Sequence, residues 1–276
     1  MRVHHLNCGT MCPRSAKLIN GTGGWLERGR LVCHCLALEL AHGVALIDTG
    51  LGTADVKDPK GRLGGPFVAA AAPACRVEET ALAQLARLGF QARDVRHILP
   101  THLDLDHAGG ITDFPDATIY LLAGELRAAT ARATQREQNR YRPEQWAGAR
   151  IQTDHRAGER WFGFESVRPL AGSADEVLII PLHGHTRGHA GIAVRTGSGW
   201  LLHAGDAYFH HDEVHANPRS CSLGLELFQY MVQVDGSQRL HNRDRVRELA
   251  QTHGSEVTVI CAHDPFEFDT LSAQPR

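Results

Sequence analysis

Apolar positions along the chain come in short bursts, separated by glycine, proline and polar turns. That rhythm predicts many short strands with a few helices between them. Residues 31 to 48 read as two strands joined by a turn near Ala41-His42-Gly43, the second running into Asp48-Thr49-Gly50. Residues 54 to 77, rich in Gly, Pro and Ala, read as a long loop. Residues 78 to 88 carry helical apolar spacing and stop at Gly89. Residues 95 to 99 form a short buried strand that Pro100 ends, so the polar run after Thr101 lies at its C-terminal mouth. Residues 117 to 122 read as strand and 124 to 132 as helix. Residues 133 to 165 are polar, Arg-rich and weakly periodic, with Tyr141, Trp146, Trp161 and Phe162 scattered through them. They read as an insertion packed against the mouth of a site, a lid. The second half repeats the pattern with strands at 176 to 182, 190 to 195 and 200 to 203, a helix at 239 to 252 and a last strand at 257 to 261. Such an order suggests an α/β protein with two sheets face to face and helices outside, a single domain over 1–276.

Composition narrows the function more than the fold. The 276 residues carry a formal net charge of −2, so no overall field draws the protein to nucleic acid or anionic lipid. No stretch approaches 18 uninterrupted apolar residues, so no membrane span is expected. The opening MRVHHLNCGTMCP lacks the apolar core of a secretory signal, and a cytoplasmic location is the expectation. Seven cysteines form no tight zinc-type array. Cys33 and Cys35 alternate within an apolar run and read as thiols on one face of a strand. Cys8 and Cys12 leave a ligand pair or a redox pair open, with reduced thiols the simplest account. Histidine, at 18 copies, is the outlier; surface positions account for most of them but not for the clustered ones.

Four potential metal ligands fall within six residues in His102-Leu-Asp104-Leu-Asp106-His107, followed by Ala-Gly-Gly. In an extended chain residues two apart point the same way, so His102 and Asp104 can grip one ion together. Asp106 and His107 lie where the chain turns, aimed at a neighbouring position, and two ions side by side are what this suggests. Later strands end in His183-Gly-His185-Thr-Arg-Gly-His189, in Gly205-Asp206-Ala-Tyr208 and in Ala262-His263-Asp264. Each is weak evidence alone; in sequence after the first cluster they gain weight.

In this order the motifs resemble the metallo-β-lactamase fold hydrolases, and within them the branch containing the N-acyl homoserine lactonases. The resemblance spans residues 44 to 263. It implies the αββα sandwich of that fold and a metal-dependent hydrolase. One metal would take His102, Asp104 and His185, the other Asp106, His107 and His263, with Asp206 bridging both. Asp48 and His189 would orient ligands from behind. Asp104 departs from the pattern, which has histidine there. A carboxylate shifts preference toward iron or manganese, with zinc the default. Asp106 and Asp206 would move the proton, and Tyr208 would donate to the developing oxyanion, although the lactonases carry their tyrosine at a slightly different offset. His210 and His211 read as exposed, or as edging the pocket. A small-molecule ester or lactone is the expected substrate. A phosphodiester or thioester substrate, a di-iron redox centre and a degenerate metal-binding protein are the alternatives. Relatives of this kind are often dimers, and a homodimer is implied.

Overall fold

The computed structural model describes residues 1–153, 156–169 and 177–273. Their strands form two six-stranded sheets. In the first, β1 (Arg2–Asn7), β2 (His34–Leu40) and β3 (Gly43–Ile47) run antiparallel. Parallel pairing then adds β4 (Val95–Leu99), β5 (Thr118–Tyr120) and β6 (Arg150–Gln152). The second holds β7 (Arg156–Ala157), β8 (Val167–Arg168), β9 (Val177–Pro181), β10 (Ala190–Thr196) and β11 (Gly199–His203) in antiparallel order, and β12 (Val257–Ile260) parallel to β11.

The two-residue period of a strand sends alternate side chains to opposite faces, and three cores follow from it. Leu36 and Leu38 of β2 and Ile47 of β3 meet Val177 and Ile179 of β9 and Ile192 of β10 between the sheets. Cys35 and Ala37 point the other way, under Leu85 of helix Ala81–Arg87 and Ala128 and Ala129 of helix Ala123–Ala131. Leu178 and Ile180 pack outward against Val246 and Leu249 of helix Gly236–Thr252. Each fully buried aliphatic side chain contributes about 1.5–3 kcal/mol. The result is the expected helix–sheet–sheet–helix layering.

Differences from the sequence reading are local. Residues 54 to 77 are largely helical, in three short helices Thr53–Lys57, Pro59–Leu63 and Gly65–Ala71. Pro59 and Pro66 lie in first turns, where a missing N–H costs nothing, and the Asp58 carboxylate accepts from the Gly61 N–H. Helices Leu223–Val232 and Pro265–Ser272 and strand β1 had no counterpart in the sequence reading. Cys33 stands just before β2 and packs with Met11, Leu31, Phe209 and Leu225, apart from the core that holds Cys35. All seven cysteines are free thiols. No described helix is long and apolar enough to cross a membrane.

Candidate metal centre

Four loops leave the C-terminal ends of β4, β9, β11 and β12 on one side of the sandwich and bring together the seven expected donors. Asp206 stands at their middle. Its Oδ2 lies 3.4 Å from His185 Nε2 and 3.9 Å from His102 Nε2. Its Oδ1 lies 3.3 Å from His107 Nε2 and 3.2 Å from His263 Nε2. Asp104 Oδ2 is 3.4 Å from His102 Nε2 and 3.1 Å from His185 Nε2. Asp106 approaches the other pair, with Oδ2 3.8 Å from His263 Nε2 and Oδ1 4.0 Å from His107 Nε2.

What stands behind the rings decides which nitrogen faces inward. His107 Nδ1 is 2.9 Å from Asp48 Oδ2, and His263 Nδ1 is 2.8 Å from the Val32 carbonyl. A carboxylate and a carbonyl can only accept, so both rings donate from Nδ1 and turn a lone pair inward. Those two Nε2 atoms face each other at 3.3 Å. The Thr101 hydroxyl, 2.9 Å from Asp48, donates to it and so accepts from His102 Nδ1 at 3.0 Å. His102 Nε2 is then a third inward lone pair, buried and unbonded. Three lone pairs and three carboxylates converging in a water-poor space repel one another unless cations stand among them. The donor set, all nitrogen and oxygen with one shared carboxylate, fits two divalent ions.

Without cations, positive charge on the rings would have to answer the carboxylates, and against the opposing effect of burial Asp206 holds both His107 and His263 above the usual histidine range. Burial pushes the Asp206 carboxyl up, but His263, His107 and His185 more than offset this and hold it well below the usual range. Burial likewise opposes ionisation of Asp104, and Arg140 followed by His102 outweighs it. For Asp48 the opposing burial is overcome by His107, and its pKa is lowered.

Asp48 and His189 point their polar atoms at the donors rather than at the centre. Asp48 adopts φ 55, a left-handed conformation unusual for a residue with a Cβ, and accepts from the Thr101 N–H at 2.7 Å. His189 is saturated: Nδ1 donates to the Leu182 carbonyl at 2.8 Å, and Nε2 accepts from the Asp206 N–H at 2.9 Å. Between them Gly205, at φ 56, leaves the room that the Asp206 turn needs. A Cβ there would lie 2.6 Å from His189 Nε2.

Tyr208 does not reach the site. Its ring is fully buried in the core outside the second sheet, and its hydroxyl donates to Glu267 Oε1 at 2.8 Å. The next residue, Phe209, lines the cavity instead and stacks on His263 at 4.9 Å between centroids. The offset of one residue turns the side chain to the opposite side. His211 pairs with Asp264 at 2.7 Å and, like His210, is partly buried away from the cavity wall.

Three contributors escaped the sequence reading. Glu125 is fully buried and accepts from the N–H of Leu103 and Gly188 at 3.0 Å and from the Thr186 hydroxyl at 2.7 Å. It ties the first donor loop to the second. Cys33 brings its thiol beside Asp106 and His263, and burial, then Asp106, pushes its pKa well above the usual value. Arg140 places Nη1 3.4 Å from Asp104 Oδ2 and donates to the carbonyls of His185 and Val232. It arrives because Tyr141 forms an antiparallel bridge with Asp104 itself. None of the three belongs to a contiguous motif, so only the tertiary contacts reveal them.

Asp104, Asp106, His185, Asp206 and His263 form the floor of a cavity of about 440 Å³, with His102 and His107 beneath it. Its wall is mostly apolar, from Met11, Leu63, Phe67, Leu225, Phe228 and Met231, with Arg136, Arg140 and Arg142 along one side.

Comparison with known proteins agrees with this geometry. Residues 28–251 match the model of the metallo-beta-lactamase superfamily. A probable metallo-hydrolase of Mycobacterium tuberculosis is 40% identical over 266 residues, covering 96% of this chain and 81% of that protein. The N-acyl homoserine lactonase AttM of Azorhizobium caulinodans is 28% identical over 240 residues, 84% of this chain and 82% of that one. An N-acyl homoserine lactone hydrolase, solved with N-hexanoyl-L-homoserine bound at its catalytic metal center, superposes with TM-score 0.71 at 19% identity, covering 97% of this chain and 95% of the other. Match and fold together place the chain in the metallo-beta-lactamase superfamily, as an enzyme of the metallo-hydrolase class.

Proposed function

We propose that the enzyme hydrolyses a carboxylic ester or lactone of the N-acyl homoserine lactone kind, at a centre of two divalent cations. Zinc is the first choice of metal, with iron or manganese favoured by the carboxylate at 104. The observation that carries the proposal is Asp206, whose two oxygens face two separate donor sets on the floor of an apolar-walled cavity. His102, Asp104 and His185 would hold one cation and Asp106, His107 and His263 the other, with Asp206 shared. Cations so held lower the pKa of water toward about 7 and polarise a carbonyl oxygen.

The chain's own groups do the rest. Asp48 fixes the His107 ring, and His189 fixes the Asp206 backbone, so that the donors do not reorganise during reaction. The oxygens of Asp106 and Asp206 take the proton of the attacking water and pass it to the leaving alkoxide. The apolar wall accepts an acyl chain and excludes water from the carbonyl. Within a single domain, the part of segment 133–165 that carries Arg136, Arg140 and Arg142 along the cavity would act as its lid, while β6 and β7 belong to the sheets. Relatives of known structure bear on the substrate class: the lactone hydrolase carries an N-acyl homoserine product, and AidC is a dizinc lactonase in complex with a product. Free thiols suit a reducing cytoplasm.

A hydrolysis screen of lactones, thioesters and phosphodiesters on metal-loaded wild type and Asp206→Ala tests the reading. Lactone turnover in the wild type should fall about a thousandfold or more in the variant, the scale of several kcal/mol of lost transition-state stabilisation. Equal activity in the two proteins would remove the mechanism, and turnover confined to phosphodiesters would change the substrate class.

A further inference from the structure

The two donor sets differ in what surrounds them. Around His107 and His263 both rings are pinned from behind by acceptors, the Asp48 carboxylate and the Val32 carbonyl. Around His102 and His185 the support is uneven. His185 Nδ1 is buried with no hydrogen-bond partner, so that ring is held by its neighbours His102, His189 and Phe209 and by no acceptor behind it. The same set has a cation of its own: Arg140 approaches Asp104 through Oδ2, the oxygen that faces His102 and His185.

Resting on the two-cation reading of this centre, we propose that the two positions bind divalent cations unequally. The Asp106–His107–His263 position fills first, and the His102–Asp104–His185 position binds more weakly because Arg140 competes for Asp104. A cation entering there shares Oδ2 with a guanidinium and stands near a like charge in a poorly screened place. Arg140 has no way to withdraw. It is buried, it is held by the carbonyls of His185 and Val232, and an arginine does not lose its proton. Loss of a partner behind a ligand ring commonly weakens metal binding about 10–100-fold, and the unpinned His185 acts in the same direction as Arg140. Asp206 gives one oxygen to each side and does not bias the choice. The enzyme therefore holds one cation per chain when metal is scarce and two when it is plentiful, and Arg140 sets the interval between the steps.

Titration of metal-free protein with Zn²⁺ against a chromophoric chelator reads the steps directly. Wild type should show two, about tenfold or more apart in Kd. Arg140→Met should tighten the weaker step about tenfold or more and leave the tighter one in place, whereas Arg140→Lys, which keeps the charge, should leave the weaker step loose. Asp104→Asn should delete the weaker step alone and Asp106→Asn should weaken the tighter one, which assigns the steps even if an arginine variant folds poorly. Two equal steps, an Arg140→Met step that stays put or loosens, or loss of the tighter step in Asp104→Asn would each overturn the inference. Failure of wild type to take up any cation would overturn the two-cation reading beneath it as well.

Discussion

The floor of the cavity is built from strand ends whose polar atoms answer one another, whereas its wall is built from short helices that answer the ligand. On the floor, Asp48, Thr101, His102 and His107 form a closed set of hydrogen bonds, and His189 has both nitrogens engaged. On the wall, Leu225, Phe228 and Met231 of helix Leu223–Val232 face the cavity with no directional partner, the last two open in part to solvent, while Leu223, Leu227 and Tyr230 of the same helix are exposed away from it. The first arrangement fixes atoms to fractions of an ångström and suits chemistry. The second fixes only shape and hydrophobicity and suits discrimination among acyl chains.

The sharpest way to break that division is to disturb the floor without touching a donor. Asp48→Asn keeps the shape but removes the charge that holds His107 and anchors Thr101. Metal affinity should fall about 10–100-fold, with activity restored in part by excess metal. Competition titration would show it, and unchanged affinity would mean that His107 is held by packing alone. A smaller and more selective effect is expected at the wall. Phe228→Ala removes apolar contact worth about 1.5 kcal/mol, so KM for a long-acyl substrate should rise about tenfold with kcat and short-acyl KM little changed. A fall in kcat for all chain lengths alike would show that wall and floor are not separable. Smallest of all should be Tyr208→Phe. Loss of its bond to Glu267 should cost about 1–3 kcal/mol of stability by denaturant titration while kcat stays within about twofold. A large loss of kcat would restore the tyrosine to the site.

The same division explains how much the sequence disclosed. Strand β4 was legible to the residue, because Val95, Ile98 and Leu99 frame a short segment that Pro100 stops. The seven candidate donors that converge in the fold could also be picked out, since each follows a strand and four of them fall within six residues. Helix Leu223–Val232 was not. Its sequence LGLELFQYMV puts apolar side chains on the cavity side, Leu225 and Phe228, and on the solvent side, Leu223, Leu227 and Tyr230, so the polar face that marks a surface helix is blurred. Residues 54 to 77 misled in the opposite way, since the prolines that suggested a loop start helices there. Tyr208 was misplaced because its offset from Asp206 is close to that of the residue that does face the cavity. Arg140 lay more than thirty residues beyond the motif it serves, in a segment whose arginines look like ordinary surface charge. Only the backbone bridge between Asp104 and Tyr141 discloses it.

That bridge limits how the segment around 135–142 can evolve. Its helix, Gln135–Arg140, starts at the Thr134–Glu137 capping box, with Glu137 on Arg187 and Arg136 on the Gln233 carbonyl, and ends at Arg140 on the Val232 carbonyl. A rung of backbone pairing then joins it to the very residue that distinguishes this centre. Transplanting the segment into a chain without a carboxylate at that position would import a positive charge with nothing to receive it. Replacing it here would strand Asp104. Loop exchange, the usual route to new specificity on a shared scaffold, is therefore open at the 54–77 side of the cavity and constrained at this one.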